Sequence, residues 1–287
     1  PALEAPQGET SNLVDPYSTH RYLVVTSAVC LVLSLSAIAA RIFTKVHILR
    51  KMQIEDYSLI FTAVGFSALT AVMLAAGHAG QGRHQWNVSI AGVQRIAFYG
   101  VQLANILEIV YPPTMFAAKL AVLLQIKRIF TAHQKDFIYW SVQILITANF
   151  LTYLACFLAF VFACWPRDKI WNPHIPGKCI STNASIIATS AINVLSDITI
   201  LPLPIHGVMM LHIPLKKKIG VGAIFATGAF ACISSIIRLV YSVNLTHTHD
   251  ITWAIAPVGM WALAEFTTVI LVACFPVFPR LLQFFRK

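Results

Sequence analysis

Apolar residues in this chain gather into seven long runs rather than alternating with polar ones, and short polar segments separate the runs. A bilayer core of about 30 Å needs roughly 20 apolar residues in a helix. Stretches of that length lie at Tyr22–Thr44, Asp56–His78, Tyr99–Ile126, Phe137–Ala163, Ser185–Leu211, Ile219–Leu245 and Ile251–Phe275. Backbone N–H and C=O groups cannot stay unpaired in hydrocarbon, so each run predicts a helix. The connections contain no Gly/Ser linker, low-complexity run or repeat. Residues 22–287 therefore predict a single seven-transmembrane bundle, an all-α membrane protein, preceded by a polar tail at 1–21.

Composition excludes the soluble alternatives. With 57% hydrophobic residues, 11% charged residues and a mean hydropathy of +0.72, the chain does not suit a water-facing surface. Its net charge of +10 lies in short clusters between the apolar runs, so no nucleic-acid partner is expected and the clusters act as topology signals. One side collects Lys45, Arg50 and Lys51, then Lys127, Arg128 and Lys135, then Lys216, Lys217 and Lys218, then Arg280, Arg286 and Lys287. The other side has fewer, among them Arg83, Arg95, Arg167, Lys169 and Lys178. Lys and Arg accumulate on the cytoplasmic side, which predicts an N-terminus outside and a C-terminus in the cytoplasm. The sequons at Asn87, Asn183 and Asn244 all fall at expected outer ends. Asn87 is the expected glycosylation site, because the other two abut the membrane.

Cys30, Cys156, Cys232 and Cys274 lie within runs and read as small packing residues. Cys164 and Cys179 flank the outer segment Trp165–Lys178, in a compartment that permits disulfides, and a bridge between them is predicted to restrain a loop over the bundle mouth.

Ionisable groups at membrane depth cost at least about 2.5–3.5 kcal/mol each on insertion scales, so they face the bundle interior or a wet cavity. Glu108 and Lys119 occupy the third run, Asp197 the fifth, Arg238 the sixth and Glu265 the seventh. Residues three or four apart share a helix face, which adds Asn105 to Glu108, Thr189 and Asn193 to Asp197, Ser234, Ser235, Tyr241 and Ser242 to Arg238, and Trp261 and Thr268 to Glu265. Counted from the outer ends, Lys119 lies deepest and the other four sit at mid-depth or higher, which implies a cavity opening outward or laterally to lipid. Three acids against one Arg in that half imply that at least one acid is held neutral and can donate a proton. Asp197, Glu265, Glu108 and Arg238 are thus the candidate catalytic groups, and Asn105, Asn193, Tyr241, Trp261 and Lys119 the candidate substrate-binding ones. The plainer reading is that Arg238 pairs with Asp197 or Glu265 to hold helices together.

Pro112 and Pro113, Pro202 and Pro204, and Pro257 are expected to bend or interrupt their helices. Trp86, Trp165, Trp171 and Trp253 fall near the outer interface and read as belt anchors, whereas Trp261 lies at mid-depth. His78, His84, His247 and His249 cluster at outer ends, but no paired Cys/His spacing or HExxH helix accompanies them, so no metal is expected.

In chain order, several motifs resemble the fungal rhodopsin-domain family of integral membrane proteins, which includes the satratoxin-cluster type and the Pth-type receptor-like proteins. They are Glu55-Asp56-Tyr57, the stretch from Gly80 to Trp86, the run from Lys119 to Arg128-Ile129-Phe130, and Cys164-Trp165-Pro166 with Trp171, Gly177 and Cys179. Asn193 with Asp197 and Leu201-Pro202-Leu203-Pro204, then Arg238-Leu239, then Asp250 with Trp253, Trp261 and Glu265 complete the set. The resemblance implies seven helices and a fungal source, and no settled activity. A retinal Schiff base would need a lysine on the seventh helix, and Ile251–Phe275 contains none.

Function then rests on the interior. A cyclase or isomerase could act on an apolar polyketide- or terpenoid-like metabolite, with an acid supplying a proton, Arg238 holding developing negative charge, and no metal or redox cofactor. A receptor-like protein sensing a small apolar ligand would use the same cavity. The cytoplasmic connections Lys45–Glu55, Ala132–Asp136 and His212–Lys218 are short for docking a signalling partner, and the repeat expected of a transporter is not visible. The enzyme is the preferred expectation, placed in the endoplasmic reticulum or plasma membrane. The sequence sets no oligomeric state.

Overall fold

The computed structural model describes residues 3, 5, 11–13, 16–130, 137–172, 175–205 and 215–286, with backbone alone at 91, 93–95, 97, 215–221, 223 and 224. Seven helices are long and apolar enough to span a bilayer, and the protein is an integral membrane protein. They are α1 (His20–Phe43), α2 (Ile54–His78), α3 (Ile90–Phe130), α4 (Phe137–Val161), α5 (Thr182–Ile200), α6 (Leu215–His247) and α7 (Ile251–Cys274), followed by a short α8 (Phe278–Phe285). Part of the tail at 1–21, the connection at 132–136 and residues 206–214, which include the expected end of the fifth run, lie outside the described residues.

α3 departs most from expectation. It starts at Ile90 rather than Tyr99 and has 41 residues, about 61 Å at 1.5 Å per residue, twice the hydrocarbon thickness. Gly92, Gln94 and Arg95 keep its first turns out of an apolar run, yet nothing there breaks a helix, so the segment is helical and projects beyond the core. The helices also continue through Pro112, Pro113 and Pro257. Each proline lacks the N–H that would reach back four residues, which leaves the carbonyls of Glu108, Ile109 and Trp253 without that donor. α5, by contrast, stops at Ile200 with a turn at Leu201 before Pro202.

α3 and α7 are the most buried helices and α4 the least. Their shared core joins Leu59 and Phe66 of α2 to Met115, Ala118 and Leu123 of α3 and to Leu263, Phe266 and Ile270 of α7. With lipid outside, such contacts depend on close fit, and small residues allow it. Gly65 is an instance: a Cβ there would collide with the Thr114 side chain across the α2–α3 contact.

The two ends of the bundle are tied differently. At the end carrying the N-terminus, Thr19 N–H donates to Gly82 O (2.9 Å), Gly82 N–H donates to Thr252 O (2.8 Å) and Thr252 Oγ1 donates to Arg83 O (2.7 Å). Gly82 holds φ of 86°, a left-handed conformation that favours glycine. His84 Nδ1 meets Asp250 Oδ2 at 2.6 Å, and its ring stacks on Trp86 and Trp253 at 4.1 and 3.9 Å. At the far end, Arg41 is fully buried and binds Asp56 (2.8 Å), Glu55 (3.1 Å), Gln125 and the carbonyl of Ala273, joining α1, α2, α3 and α7. Lys45, in a π-helical turn at Thr44–Ile48, pairs with both of these acids, and Arg128 pairs with Glu55.

A two-residue antiparallel pair, β1 (Cys164–Trp165) with β2 (Lys178–Cys179), bridges α4 and α5, and Cys164 is bonded to Cys179. The bridge closes a loop with a sequence separation of 15. For loops of that length the chain-entropy contribution is about 3 kcal/mol, an upper bound here because α4 and α5 already hold the ends. The variant Cys164→Ser/Cys179→Ser is expected to unfold at lower temperature in detergent and to be cut faster by trypsin at Arg167 and Lys169. Unchanged cleavage would mean that the strand pair alone holds the loop.

Candidate functional site

The five ionisable groups expected inside the bundle separate into two ion pairs and one lone acid. Lys119 Nζ lies 2.8 Å from Asp197 Oδ1, joining α3 to α5. The same ammonium donates to Asn193 Oδ1 at 2.8 Å and to Asn193 O at 3.3 Å. Arg238 Nε lies 3.0 Å from Glu265 Oε2, joining α6 to α7. That second contact is one of charge, since neither atom is aligned for a hydrogen bond. Glu108 has no ion pair among the described residues, and its buried Oε1 has no hydrogen-bond partner.

Asn193 sits at the centre of the polar network. Its Nδ2 donates to Tyr111 Oη at 2.8 Å, and its Oδ1 also accepts from the Tyr153 hydroxyl. The guanidinium of Arg238 lies 5.1 Å from the Tyr111 ring centroid, within cation–π range. The network therefore runs from Glu265 through Arg238, Tyr111 and Asn193 to Lys119 and Asp197 across four helices, and Tyr153 ties in α4 as a fifth. Tyr111 and Tyr153 are not separable by sequence from aromatic packing residues, because each lies in an apolar run. Ser190 with Ser242 (3.0 Å) and Ser196 with Asn149 (2.6 Å) fasten the flanking helices.

Above this network, toward the N-terminal end, lies a cavity of about 160 Å³. Its wall is mostly apolar, with Leu69, Met73, Leu107 and Phe160 among its residues, and Glu108, Tyr111 and Arg238 bring polar groups to it. Thr19, His20 and Gln81 stand at its mouth. Lys119 and Asp197 instead border a separate space of about 50 Å³ deeper in the bundle. Of the four candidate catalytic residues, Glu108 and Arg238 line the larger cavity, Glu265 stands behind Arg238, and Asp197 is apart.

The other candidates divide likewise. Asn193 and Lys119 belong to the network. Asn105 is buried, but its Nδ2 donates to Phe160 O at 3.3 Å and ties α3 to α4 instead of lining the cavity. Tyr241 is 38% exposed on the outer surface of α6, and Trp261 is half-buried and does not line the cavity. Asn87 lies at the N-terminal end, where its Oδ1 accepts from Asn12 N at 2.9 Å. Arg41, Lys45, Glu55 and Asp56 form a second buried charge cluster that the five-group expectation does not contain. An arginine three residues inside the end of the first run is the signal for it.

Residues 40–284 match the fungal rhodopsin domain. The chain belongs to that family. Among its relatives in the fungal rhodopsin domain family, a SAT4 family membrane protein from Emericella nidulans is 37% identical over 79% of this chain and 56% of its own length. The fugralins biosynthesis cluster protein 2 of Gibberella zeae is 29% identical over 99% of this chain and 71% of its own. A polyenoic acids biosynthesis gene cluster protein from Metarhizium anisopliae is 25% identical over 95% and 76%. The match thus spans little more than half the length of the first of these relatives. The fungal rhodopsin domain is the family that the motif order from Glu55 to Glu265 resembles, and the match takes in that whole interval.

Proposed function

We propose that this protein is a membrane-embedded biosynthetic enzyme of the cyclase or isomerase type, acting on an apolar polyketide- or terpenoid-like secondary metabolite without a redox cofactor. The observation that supports it most is that Glu108, an acid with no ion pair among the described residues, and Arg238 both line one mostly apolar cavity. A half-buried acid that no cation among the described residues holds is free to exchange a proton with whatever occupies the space beside it. A guanidinium held by an acid behind it receives negative charge that develops on a substrate oxygen, without rearranging. Glu265 is then a positioning residue for Arg238, and Lys119, Asp197 and Asn193 form the frame beneath. Relatives named for the biosynthesis of fugralins and polyenoic acids agree with a role in secondary metabolism.

The size of the cavity limits what it holds at one time. A space of about 160 Å³ is close to the ~150 Å³ cavity that takes up benzene, and smaller than the roughly 300–1,000 Å³ of drug-sized pockets. It accommodates one ring or the reacting end of a longer molecule.

Microsomes from yeast expressing the chain, fed extracts of apolar metabolites and followed by mass spectrometry, test the proposal. Formation of a product or isomer that Glu108→Gln fails to make supports the enzyme. Saturable retention of one compound with no conversion supports a ligand-sensing protein instead.

The end of the bundle carrying the N-terminus is proposed to face the lumen or exterior. Glycosylation at Asn87 is its direct consequence: an endoglycosidase-sensitive mass shift is expected in the wild type and absent in Asn87→Gln. A sensitive site introduced at Arg50 in place of Asn87 would reverse the orientation.

A further inference from the structure

The far end of the bundle, opposite the N-terminus, carries a surface that the cavity chemistry does not use. α7 has 24 residues, about 36 Å at 1.5 Å per residue, so it has crossed the roughly 30 Å hydrocarbon core before α8 begins. In α8, Phe278, Leu281, Leu282 and Phe285 recur at the spacing of one helix face, with Arg280 and Gln283 on the opposite one. Phe278 packs on the core, and α8 rests against the turn Thr44–Ile48. The rest of the apolar stripe is uncovered, with Leu282 64% and Phe285 71% exposed.

Charge at this end is of one sign. Arg50, Lys51, Arg280 and Arg286 are exposed, and so is Arg128 beyond its contact with Glu55. The acids Glu55 and Asp56 are buried beside Arg41 and Lys45, and no exposed acid accompanies the cations there among the described residues. Arg50 is also held in an unusual place. Leu49 N–H donates to Thr44 O at 2.9 Å and Lys51 N–H to Lys45 O at 3.0 Å, so Arg50 makes the reversal that ends the turn, with φ of 46°. That is the left-handed region where glycine sits freely and a residue with a Cβ is strained. An exposed arginine there is unfavourable for the fold, which points its guanidinium at a partner outside the chain.

We infer that this surface is a seat for anionic phospholipid. α8 lies in the headgroup layer with Leu282 and Phe285 toward the acyl chains, while Arg50, Lys51, Arg280 and Arg286 hold the phosphates and carboxylates of the headgroups. A short helix with an apolar stripe and basic residues settles in that layer by burying the stripe and attracting negative headgroups. A second copy of the chain would bring the same sign of charge to the surface and be repelled, whereas an anionic bilayer complements it.

The full chain is reconstituted in phosphatidylcholine bilayer discs holding a trace of spin-labelled phosphatidylserine or spin-labelled phosphatidylcholine, and the motionally restricted fraction of each label is read by electron paramagnetic resonance. Each Lys or Arg near an anionic surface corresponds to about fivefold in affinity, and phosphatidylserine is expected to be preferred by that factor or more. The preference is expected to shrink at high salt, where the Debye length falls to about 3 Å. Arg50→Gly/Arg280→Gln/Arg286→Gln is expected to lose most of it. Arg50→Gly alone is expected to lower the preference while raising the unfolding temperature, because it gives up a headgroup contact and relieves the left-handed residue. Equal association of the two lipids, a preference unmoved by salt, or one that survives whole in the triple variant overturns the assignment. The lie of α8 is read separately: Phe285→Cys is expected to react several-fold slower with a charged maleimide than Gln283→Cys in the same discs. Equal rates would take α8 out of the headgroup layer, and oxidative cross-linking of Phe285→Cys between copies would give the stripe to a second copy instead.

Discussion

Turnover of the metabolite is expected to fall by about 10²- to 10⁴-fold in Glu108→Gln, the range that a positioned general acid or base contributes, while binding and folding stay close to those of the wild type. Glutamine keeps the shape of the side chain and a carbonyl oxygen that accepts a hydrogen bond, but it cannot give up or take on a proton at neutral pH. The prediction is sharp because Glu108 has no ion pair among the described residues, so its neutral analogue strands no buried cation. Glu265→Gln differs, since it removes the charge beside Arg238 and loosens the guanidinium as well. Conversion rate against substrate concentration separates the two. Glu108→Gln lowers the maximal rate, whereas Glu265→Gln changes rate and apparent affinity together. A Glu108→Gln protein that turns over at the wild-type rate would remove Glu108 from the chemistry and with it the main support for an enzyme.

How far the sequence anticipates this arrangement depends on which physical rule is in force. The seven helices are legible because the bilayer fixes the length of an apolar run, and Tyr22–Thr44 and Asp56–His78 lie within a few residues of α1 and α2. That rule is silent outside the hydrocarbon, so the first turns of α3, at Ile90 and beyond, read as a loop. The five interior groups are legible because charge at membrane depth is costly. Their pairing is not, because it depends on how each helix is rotated against its neighbour. Arg238 could face Asp197 or Glu265 by spacing alone, and only the packing of α6 on α7 gives it Glu265 and leaves Asp197 to Lys119. Asn105 and Tyr241 show the same limit: helical spacing brings each near a charged residue, yet one binds a backbone carbonyl of α4 and the other points away from the bundle. Arg41 hides for the opposite reason. It lies at the edge of a run, where a basic residue reads as a topology signal, and only the fold brings Asp56, Gln125 and Ala273 around it.

Asp197→Ala is expected to destabilise the protein by about 3–5 kcal/mol, because it leaves the ammonium of Lys119 buried and without a counter-ion. Lys119 is only 1% exposed, and its remaining contacts, to Asn193 Oδ1 and O, are neutral acceptors. Replacing both partners, as Lys119→Met/Asp197→Leu, removes the charges together and is expected to recover most of that loss, since a buried pair exchanged for apolar side chains of similar volume is often neutral or stabilising. Asn193 keeps its links to Tyr111 and Tyr153 in the double variant, so the centre of the network stays tied. Unfolding in detergent, followed by tryptophan fluorescence across a denaturant series, measures both. A double variant as unstable as the single one would show that the pair holds α3 to α5 through more than mutual neutralisation. Activity carries the second half of the test. Because Asp197 borders the deeper space and not the cavity of Glu108 and Arg238, a folded double variant is expected to keep most of the turnover. Loss of turnover in that folded protein would move the proton chemistry down to Asp197.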